Sequence, residues 1–505
     1  MLFNSYDFLL VFLPVAWIGW ALMRRFAGYL PTLAWLAFVS LAFYGYWSID
    51  ALVIMLASLS INCAIGRFIF DLRERSNEPT PEMRLLVALG IAGNLALLGY
   101  FKYMGFFVAN LNAATGLGLD IGAIVLPIGI SFYTFQQIAW LVDLYRGHAE
   151  KPDLLRHVLF ITFFPHLIAG PITHHGEMMP QFARTRPGDK VEGMAEGVTI
   201  GLTMFAIGLA KKVIIADQIA RVSTPIFLAA DQGADIGLIE AWLAAIAYTL
   251  QIYFDFSGYS DMAIGLARMF GIILPLNFNS PYKATSISDF WRRWHMTLSR
   301  FLRDYVYIPL GGNRSGEWSK GRNLLATMLL GGLWHGAAWN FVVWGGLHGV
   351  YLIINQFWSK LTGRSKVFGP ANPVARIAGQ ALTLLAVVIA WVFFRAGTLD
   401  GAFSILAGMA GAHGLPSPHA AIASLKEAKP ALLLLMALGA GIALFLPNSA
   451  ELMGRYRPAG GFKAGIARWW QWEPSLGAAL VTSVLLLAGL ASIGETATEF
   501  LYFQF

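Results

Sequence analysis

His335 lies within Leu333-Trp334-His335-Gly336-Ala337-Ala338-Trp339, inside an apolar segment running from Asn323 to Tyr351. An ionisable side chain in hydrocarbon is costly, so one retained there reads as functional. Imidazole exchanges protons near neutral pH, which makes His335 a candidate for proton transfer. Arg322 lies 13 residues earlier, so on a helix His335 is expected about 20 Å from that charged end. Lys360, Arg364, Lys366 and Arg376 form a second basic flank. By the charge rule for loops, both ends of Asn323–Trp358 read as cytoplasmic. A hairpin bending near Gly336, with His335 deep and beside the bend, is expected; two ordinary spans are the alternative. His348 follows by another 13 residues. On one straight helix the two rings would point about 220° apart. The bend and Gly345-Gly346 relax that constraint, leaving His348 either a partner of His335 or a packing histidine.

A second cluster lies in Ser286–Gly312, SISDFWRRWHMTLSRFLRDYVYIPLGG. Arg292, Arg293, Arg300 and Arg303 are interleaved with Phe290, Trp291, Trp294, Leu298, Phe301 and Leu302, and His295 sits between Trp294 and Met296. The pattern predicts a basic amphipathic helix at the cytoplasmic interface, opened by Ser286 or Ser288. Such a helix is either a surface anchor or the floor of a site for an anionic ligand, whose phosphates arginines suit. His295 favours the second.

The other polar groups carry weaker signals. His295, His335 and His348 lack the HExxH spacing and a nearby cysteine pair, so no metal site is expected. Asp255 and Asp261 flank a Ser257-Gly258 break in YFDFSGYSD. They either serve an imidazole or, in the structural reading, cap broken helices and pair with arginines. His174-His175 read as an interface turn, and His413 and His419 as solvated loop residues. There is no GxSxG nucleophile, P-loop or dinucleotide fingerprint.

The elements that must hold these groups are apolar. The chain is 57% hydrophobic and 13% charged, against about 25% charged in soluble domains, so most of it is expected in lipid. Runs of near-spanning length include Asp7–Met23, Tyr29–Trp47, Ala51–Phe70, Leu85–Phe101, Ile121–Val142, Val198–Leu209, Gly237–Phe256, Ile377–Phe394, Pro430–Pro447 and Leu476–Ile493. Runs at Ile161–Ile172 and Ala326–Trp344 are interrupted by Gly, Pro or His and are expected to be re-entrant or discontinuous. The fold expected is all-α: a single polytopic membrane domain over 1–505, with ten to twelve crossings plus interfacial pieces. Arg24-Arg25 follow the first run, which places residue 1 on the outer side and argues against a signal peptide. Cys63 is expected to be a buried packing residue, and the net charge of +7 reflects membrane flanks rather than a nucleic-acid surface. Matching hydropathy halves are absent, which weakens a transporter reading.

The motifs Tyr253–Asp261 (YFDFSGYSD), Asn277–Tyr282 (NFNSPY), Asp289–Ser299 (DFWRRWHMTLS), Phe301–Arg314 (FLRDYVYIPLGGNR) and Gly332–His348 (GLWHGAAWNFVVWGGLH) occur in this order. With Leu126–Gly147 and FFPHLIAGPI at Phe163–Ile172, they resemble the membrane-bound O-acyltransferase family. The resemblance is to its bacterial branch of alginate O-acetylases and D-alanyl transfer proteins. The opening MLFNSYDFLL and the ending Glu499–Phe505 (EFLYFQF) resemble the alginate type. His166 stands where the family pattern would lead one to expect Gln.

The resemblance covers essentially the whole chain, with a signature core at about 121–358. It implies helices around a transmembrane tunnel, His335 as the essential histidine in that tunnel, and His295 at the second signature position. Asp289, Trp334, Asn340 and His348 fall within the same motifs as supporting residues. The implied activity is O-acetylation of an exopolysaccharide, most readily alginate, in a bacterial inner membrane. No bound cofactor is expected. The donor expected is acetyl-CoA, held from the cytoplasm by Arg292, Arg293, Arg300 and Arg303. The acceptor side is expected to involve a periplasmic partner of serine-hydrolase type. A permease using the same polar groups for transport is the competing reading.

Overall fold

Long apolar runs in lipid can satisfy their backbone only as helices, and helices are what form here. The computed structural model describes residues 1–76, 78–183, 194–314, 316–363, 372–415, 430–461, 470–494 and 501. In chain order the main helices are α1 (Asp7–Ala27), α2 (Tyr29–Gly45), α3 (Ile49–Arg75), α4 (Pro81–Thr115), α5 (Ile130–Arg146), α6 (Leu154–Thr162), α7 (His175–Ala183), α8 (Met194–Asp231) and α9 (Leu238–Met269). There follow α10 (Ile287–Trp291), α11 (Met296–Leu302), α12 (Gly316–His335), α13 (Trp339–Thr362), α14 (Pro373–Arg395), α15 (Leu399–Met409), α16 (Pro430–Phe445) and α17 (Leu476–Ala491). No strand occurs among the described residues, which hold one isolated bridge between Pro275 and Gly460. Helix starts follow local chemistry: Ser48, Thr80, Asp153, Asn372 and Ser475 each accept a first-turn backbone N–H on the side chain, as N-cap residues do.

The protein is a polytopic, all-helical membrane protein. Among the described residues, α1, α3, α4, α8 and α14 are long and apolar enough to cross a membrane. Four shorter apolar helices, α2, α15, α16 and α17, accompany them. The run Ile121–Val142 is helical only from Ile130. Pro127 and the left-handed Gly122 and Gly129 keep the stretch before it irregular. The run Ile161–Ile172 is discontinuous, as expected: α6 stops at Thr162, a single turn covers Phe164–Leu167, and Ile168–Thr173 is irregular.

The chain divides into two compact units. The first comprises Met1–Phe205, Met262–Pro275 and Pro458–Gly461; the second comprises Ala206–Asp261, Leu276–Arg457 and Phe462–Phe505. In the first unit Phe3, Phe8, Phe12, Phe43 and Phe164 form one aromatic cluster. Asn62 of α3 and Asn94 of α4 exchange side-chain hydrogen bonds, which satisfies two buried amides against each other. Of the interface turn expected at His174-His175, His174 is irregular and half-buried, and His175 opens α7 buried beside Phe160 and Trp140, with His157 against the same tryptophan. His166 is buried too, its Nε2 2.9 Å from the Phe160 carbonyl.

Other expectations also need correcting. Cys63 is half-buried in α3 rather than enclosed. His413 is half-buried, with Nδ1 3.2 Å from the Ile236 carbonyl, rather than solvated. Ser257-Gly258 does not break its helix; α9 runs through it. Gly258 is needed for close approach, because a Cβ there would lie 2.8 Å from the Gly208 carbonyl of α8. Arg364, Lys366, His419 and, apart from Leu501, the ending Glu499–Phe505 lie outside the described residues.

In the second unit α12 and α13 form the expected hairpin, reversing at Gly336-Ala337-Ala338. Glycines allow the two backbones to touch. A Cβ at Gly332 would overlap the Phe341 carbonyl, and one at Gly345 would overlap the Met328 carbonyl. Backbone cannot yield as a side chain can, so Gly345→Ala should destabilise the protein by about 1–3 kcal/mol. The expected result is a lower thermal midpoint in detergent. Gly346→Ala meets only the Leu329 side chain, at 3.6 Å, and should melt with the parent. Equal midpoints for both variants would refute the close-approach account.

Candidate functional site

The hairpin delivers His335 to the last position of α12, 3% exposed. Its ring is boxed by aromatic groups: Trp334 at 4.9 Å, Trp344 at 5.1 Å and Phe394 at 5.1 Å between centroids, each near edge-to-face. Such packing fixes the plane of an imidazole while leaving its nitrogens for polar partners. Trp344 comes from α13 and Phe394 from α14. Asn340 ties these helices together, its Nδ2 donating to the Ala396 carbonyl just past α14, at 2.6 Å.

His295 arrives by a different route. The amphipathic helix expected over Ser286–Gly312 is interrupted. Ser286 caps α10 through the Asp289 N–H, but α10 spans only Ile287–Trp291 and α11 starts at Met296. Between them His295 adopts left-handed backbone angles, φ 42° and ψ 53°. For a residue with a side chain this costs roughly 1–2 kcal/mol. Asn277 is the physical reason it persists. Its carbonyl accepts the Met296 N–H at 2.9 Å, and Asn279 N–H donates to the Arg293 carbonyl at 2.9 Å. The irregular Leu276–Ser280 segment therefore takes hydrogen bonds that a continuous helix would have used. The Asn277 side-chain oxygen meets His295 Nδ1 at 3.1 Å and accepts from Thr297 Oγ1 at 2.9 Å, and Asn277 Nδ2 donates to Ser260.

The left-handed turn points the His295 ring inward, fully buried. Phe256 packs on it edge-to-face at 4.8 Å, and Trp334 lies 6.0 Å away. His295 and His335, 40 residues apart in sequence, come to 6.3 Å between ring centroids.

Asn277 was not singled out in the sequence, although it lies in NFNSPY. The available signal was a lone amide between Leu276 and Phe278. Asn277→Ala should expose the Thr297 amide, which donates to the Asn277 side-chain oxygen at 3.3 Å, to faster hydrogen exchange. Asn277→Asp, which retains an acceptor oxygen, should protect it better. Unchanged protection in the alanine variant would show that the segment holds without this side chain.

His348 packs behind the site instead of joining it. Trp344 lies between, 5.1 Å from the His335 ring and 4.9 Å from that of His348. Trp291 Nε1–H donates to His348 Nδ1 at 3.3 Å, which places the neutral ring's proton on Nε2. Phe290 stacks nearly parallel to it at 6.1 Å.

The arginines have separate environments. Arg293 donates to Asp289 at 2.9 Å and to the Asn279 carbonyl, while Asp289 also accepts the Thr285 N–H. Arg303 is exposed and forks onto Asp304, a hydrogen bond that pushes the guanidinium above its ordinary pKa. Arg292 is exposed and Arg300 half-buried.

The two carboxylates of YFDFSGYSD pair with lysines, not arginines or imidazoles. Asp261 meets Lys211 Nζ at 2.6 Å, and Asp255 meets Lys212 Nζ at 2.5 Å. Sequence reading missed both lysines because they border the run Val198–Leu209 and read as its charged flank. Among the described residues, no three His, Cys, Asp or Glu side chains converge as metal ligands.

The chain is similar to known proteins over most of its length. The model of the membrane-bound O-acyltransferase family matches residues 128–394, a stretch that includes His295, His335 and His348. A peptidoglycan O-acetyltransferase of Helicobacter pylori is 41% identical over 448 residues, covering 83% of this chain and 81% of that protein. A probable alginate O-acetylase of Azotobacter vinelandii is 42% identical over 415 residues, 81% of this chain and 78% of its own length. A teichoic acid D-alanyltransferase of Bacillus subtilis is 30% identical over 276 residues, 53% of this chain and 66% of that protein.

Proposed function

The chain belongs to the membrane-bound O-acyltransferase family, and from that membership we propose that it passes an acetyl group from a cytoplasmic donor to a periplasmic acceptor for O-acetylation of an exported polysaccharide. It is an O-acyltransferase and a multi-pass membrane protein. The donor proposed is acetyl-CoA and the membrane a bacterial inner membrane, with the N-terminus on the periplasmic side. The observation that carries the reading is the meeting of His335 and His295, both buried, at 6.3 Å.

In this mechanism His335 takes the proton from an acceptor hydroxyl. The hydroxyl oxygen attacks the acetyl carbonyl carbon, a C–O bond forms, and the thioester C–S bond breaks. His335 then returns that proton to the departing thiolate, and His295, whose Nδ1–H donates to the Asn277 side-chain oxygen, lines the donor side of the step. The aromatic walls exclude water, which would otherwise compete as the acceptor. A periplasmic serine-hydrolase-type enzyme is the proposed carrier of the acetyl group to the polymer. Alginate is the first polymer to test. The Helicobacter pylori relative makes peptidoglycan the second.

The test measures ester-linked acetyl on exported and retained polymer in cells lacking the protein. Loss of acetyl groups with normal export supports the proposal. Blocked export with acetylation intact on the retained polymer overturns it in favour of a permease. The donor side has its own prediction. Replacing Arg292, Arg293, Arg300 and Arg303 together should raise the KM for the donor about tenfold or more, since one charge-assisted hydrogen bond of ~1.5 kcal/mol is worth that factor. The acceptor KM should hold. Equal rises in both would remove these arginines from the donor site.

A further inference from the structure

The second unit contains a cavity of about 240 Å³ that the acyl-transfer reading does not use. Phe254, Ile442, Leu446 and Leu485 line it together with Lys211 and Ser449. Its lining is drawn from α8, α9, α16, α17 and the segment after α16. The outward residues of α16 and α17 are apolar: Leu434 is 61% exposed and Leu480 is 65% exposed. On a membrane protein such a face meets lipid chains. Leu446 on the cavity wall is itself 42% exposed, so the cavity communicates with that face. Its predominantly apolar walls suit an acyl chain.

Where Lys211 and Ser449 line the cavity, an ammonium, a carboxylate and a hydroxyl meet. Lys211 donates to Asp261 at 2.6 Å and to Ser449 at 3.3 Å. An ammonium has three donors, so one remains for a ligand among the described residues. Ser449 donates to Asp261 at 2.7 Å, which orders the cluster. Nearby, the Lys283 ammonium donates to the Leu446 carbonyl at 2.6 Å. Trp470, 40% exposed, also lines the cavity, a residue type that gathers where a bilayer meets water.

We propose that this cavity is a lateral binding site for a bilayer phospholipid, with one acyl chain between α16 and α17 and a phosphate oxygen on the Lys211 ammonium. The site needs no acyl-transfer chemistry, so it stands or falls independently of the function proposed above. The polar end is close to the catalytic region: Asp261 is the chain neighbour of Ser260, which accepts from the Asn277 amide that holds His295.

The test reconstitutes the full chain in vesicles of phosphatidylethanolamine and phosphatidylglycerol that carry a photoactivatable group on one acyl chain. After illumination, adducts are mapped by peptide mass spectrometry. Adducts at Ile442, Leu446 and Leu485 should exceed those at Leu434 and Leu480 several-fold. Ile442→Trp with Leu485→Trp, which fills the cavity, should reduce them to the level of those outward positions. A Lys211→Met variant should lose labelling by the phospholipid probe while keeping labelling by an alkane probe without phosphate. Uniform labelling along α16 and α17, or labelling that survives the filled cavity, overturns the site. Equal loss of both probes in Lys211→Met overturns the phosphate contact. Unchanged adducts on α3 serve as the folding control for each variant.

Discussion

His335→Gln should lower acetyl transfer by about 10²–10⁴-fold, the range expected when a general base is removed, while the protein still inserts and folds. Glutamine is the informative replacement. His335 is enclosed by Trp334, Trp344 and Phe394, and alanine would leave a void beneath three rings at a stability cost of its own. Glutamine keeps most of the volume and a hydrogen-bonding terminus but has no basic nitrogen. The readout is acetyl ester released per chain, together with the thermal midpoint in detergent. An unchanged midpoint with transfer lost assigns proton transfer to the imidazole. Glutamine activity within a few-fold of the parent would mean that His335 only positions the acceptor.

The sequence made His335 easy to find because its signal is local: one imidazole among apolar residues, flanked by cations that fix its depth. The hairpin was legible for the same reason, since Gly336 and the two basic flanks lie in one short stretch. His295 was legible as a residue type but not as a geometry. Periodicity over Ser286–Gly312 describes an amphipathic helix, and the competing bonds from Asn277 come from outside that window. Nothing local in Trp291-Arg292-Arg293-Trp294-His295-Met296 announces a left-handed residue at His295. The aromatic walls from Trp344 and Phe394 required knowledge of which helices pack together. Lys211 and Lys212 show the limit most clearly. In one dimension they look like the charged end of a span, and only the packing of α8 on α9 turns them towards acids more than forty residues away.

That packing yields the second large effect, on stability. Lys212 is 3% exposed, and its ammonium lies 2.8 Å from Asp217 and 2.5 Å from Asp255. Leu501 N–H adds a hydrogen bond to the other oxygen of Asp255, at 3.3 Å. A buried ion pair contributes little net stability when formed, because desolvation offsets the attraction. Removing one partner is a different matter, since the charges left behind have already lost their water. Lys212→Met keeps the length of the side chain and deletes its charge, leaving Asp217 and Asp255 facing the same space. The expected cost is about 3–5 kcal/mol, read as a lower midpoint and reduced yield of folded protein in detergent. Lys212→Met combined with Asp217→Asn and Asp255→Asn removes the stranded charges and should recover a substantial part of the loss. The order of these two variants decides the matter. If the triple variant melts below Lys212→Met, the carboxylates are held by partners other than the lysine, and the cation is not what keeps α8 and α9 together at this depth.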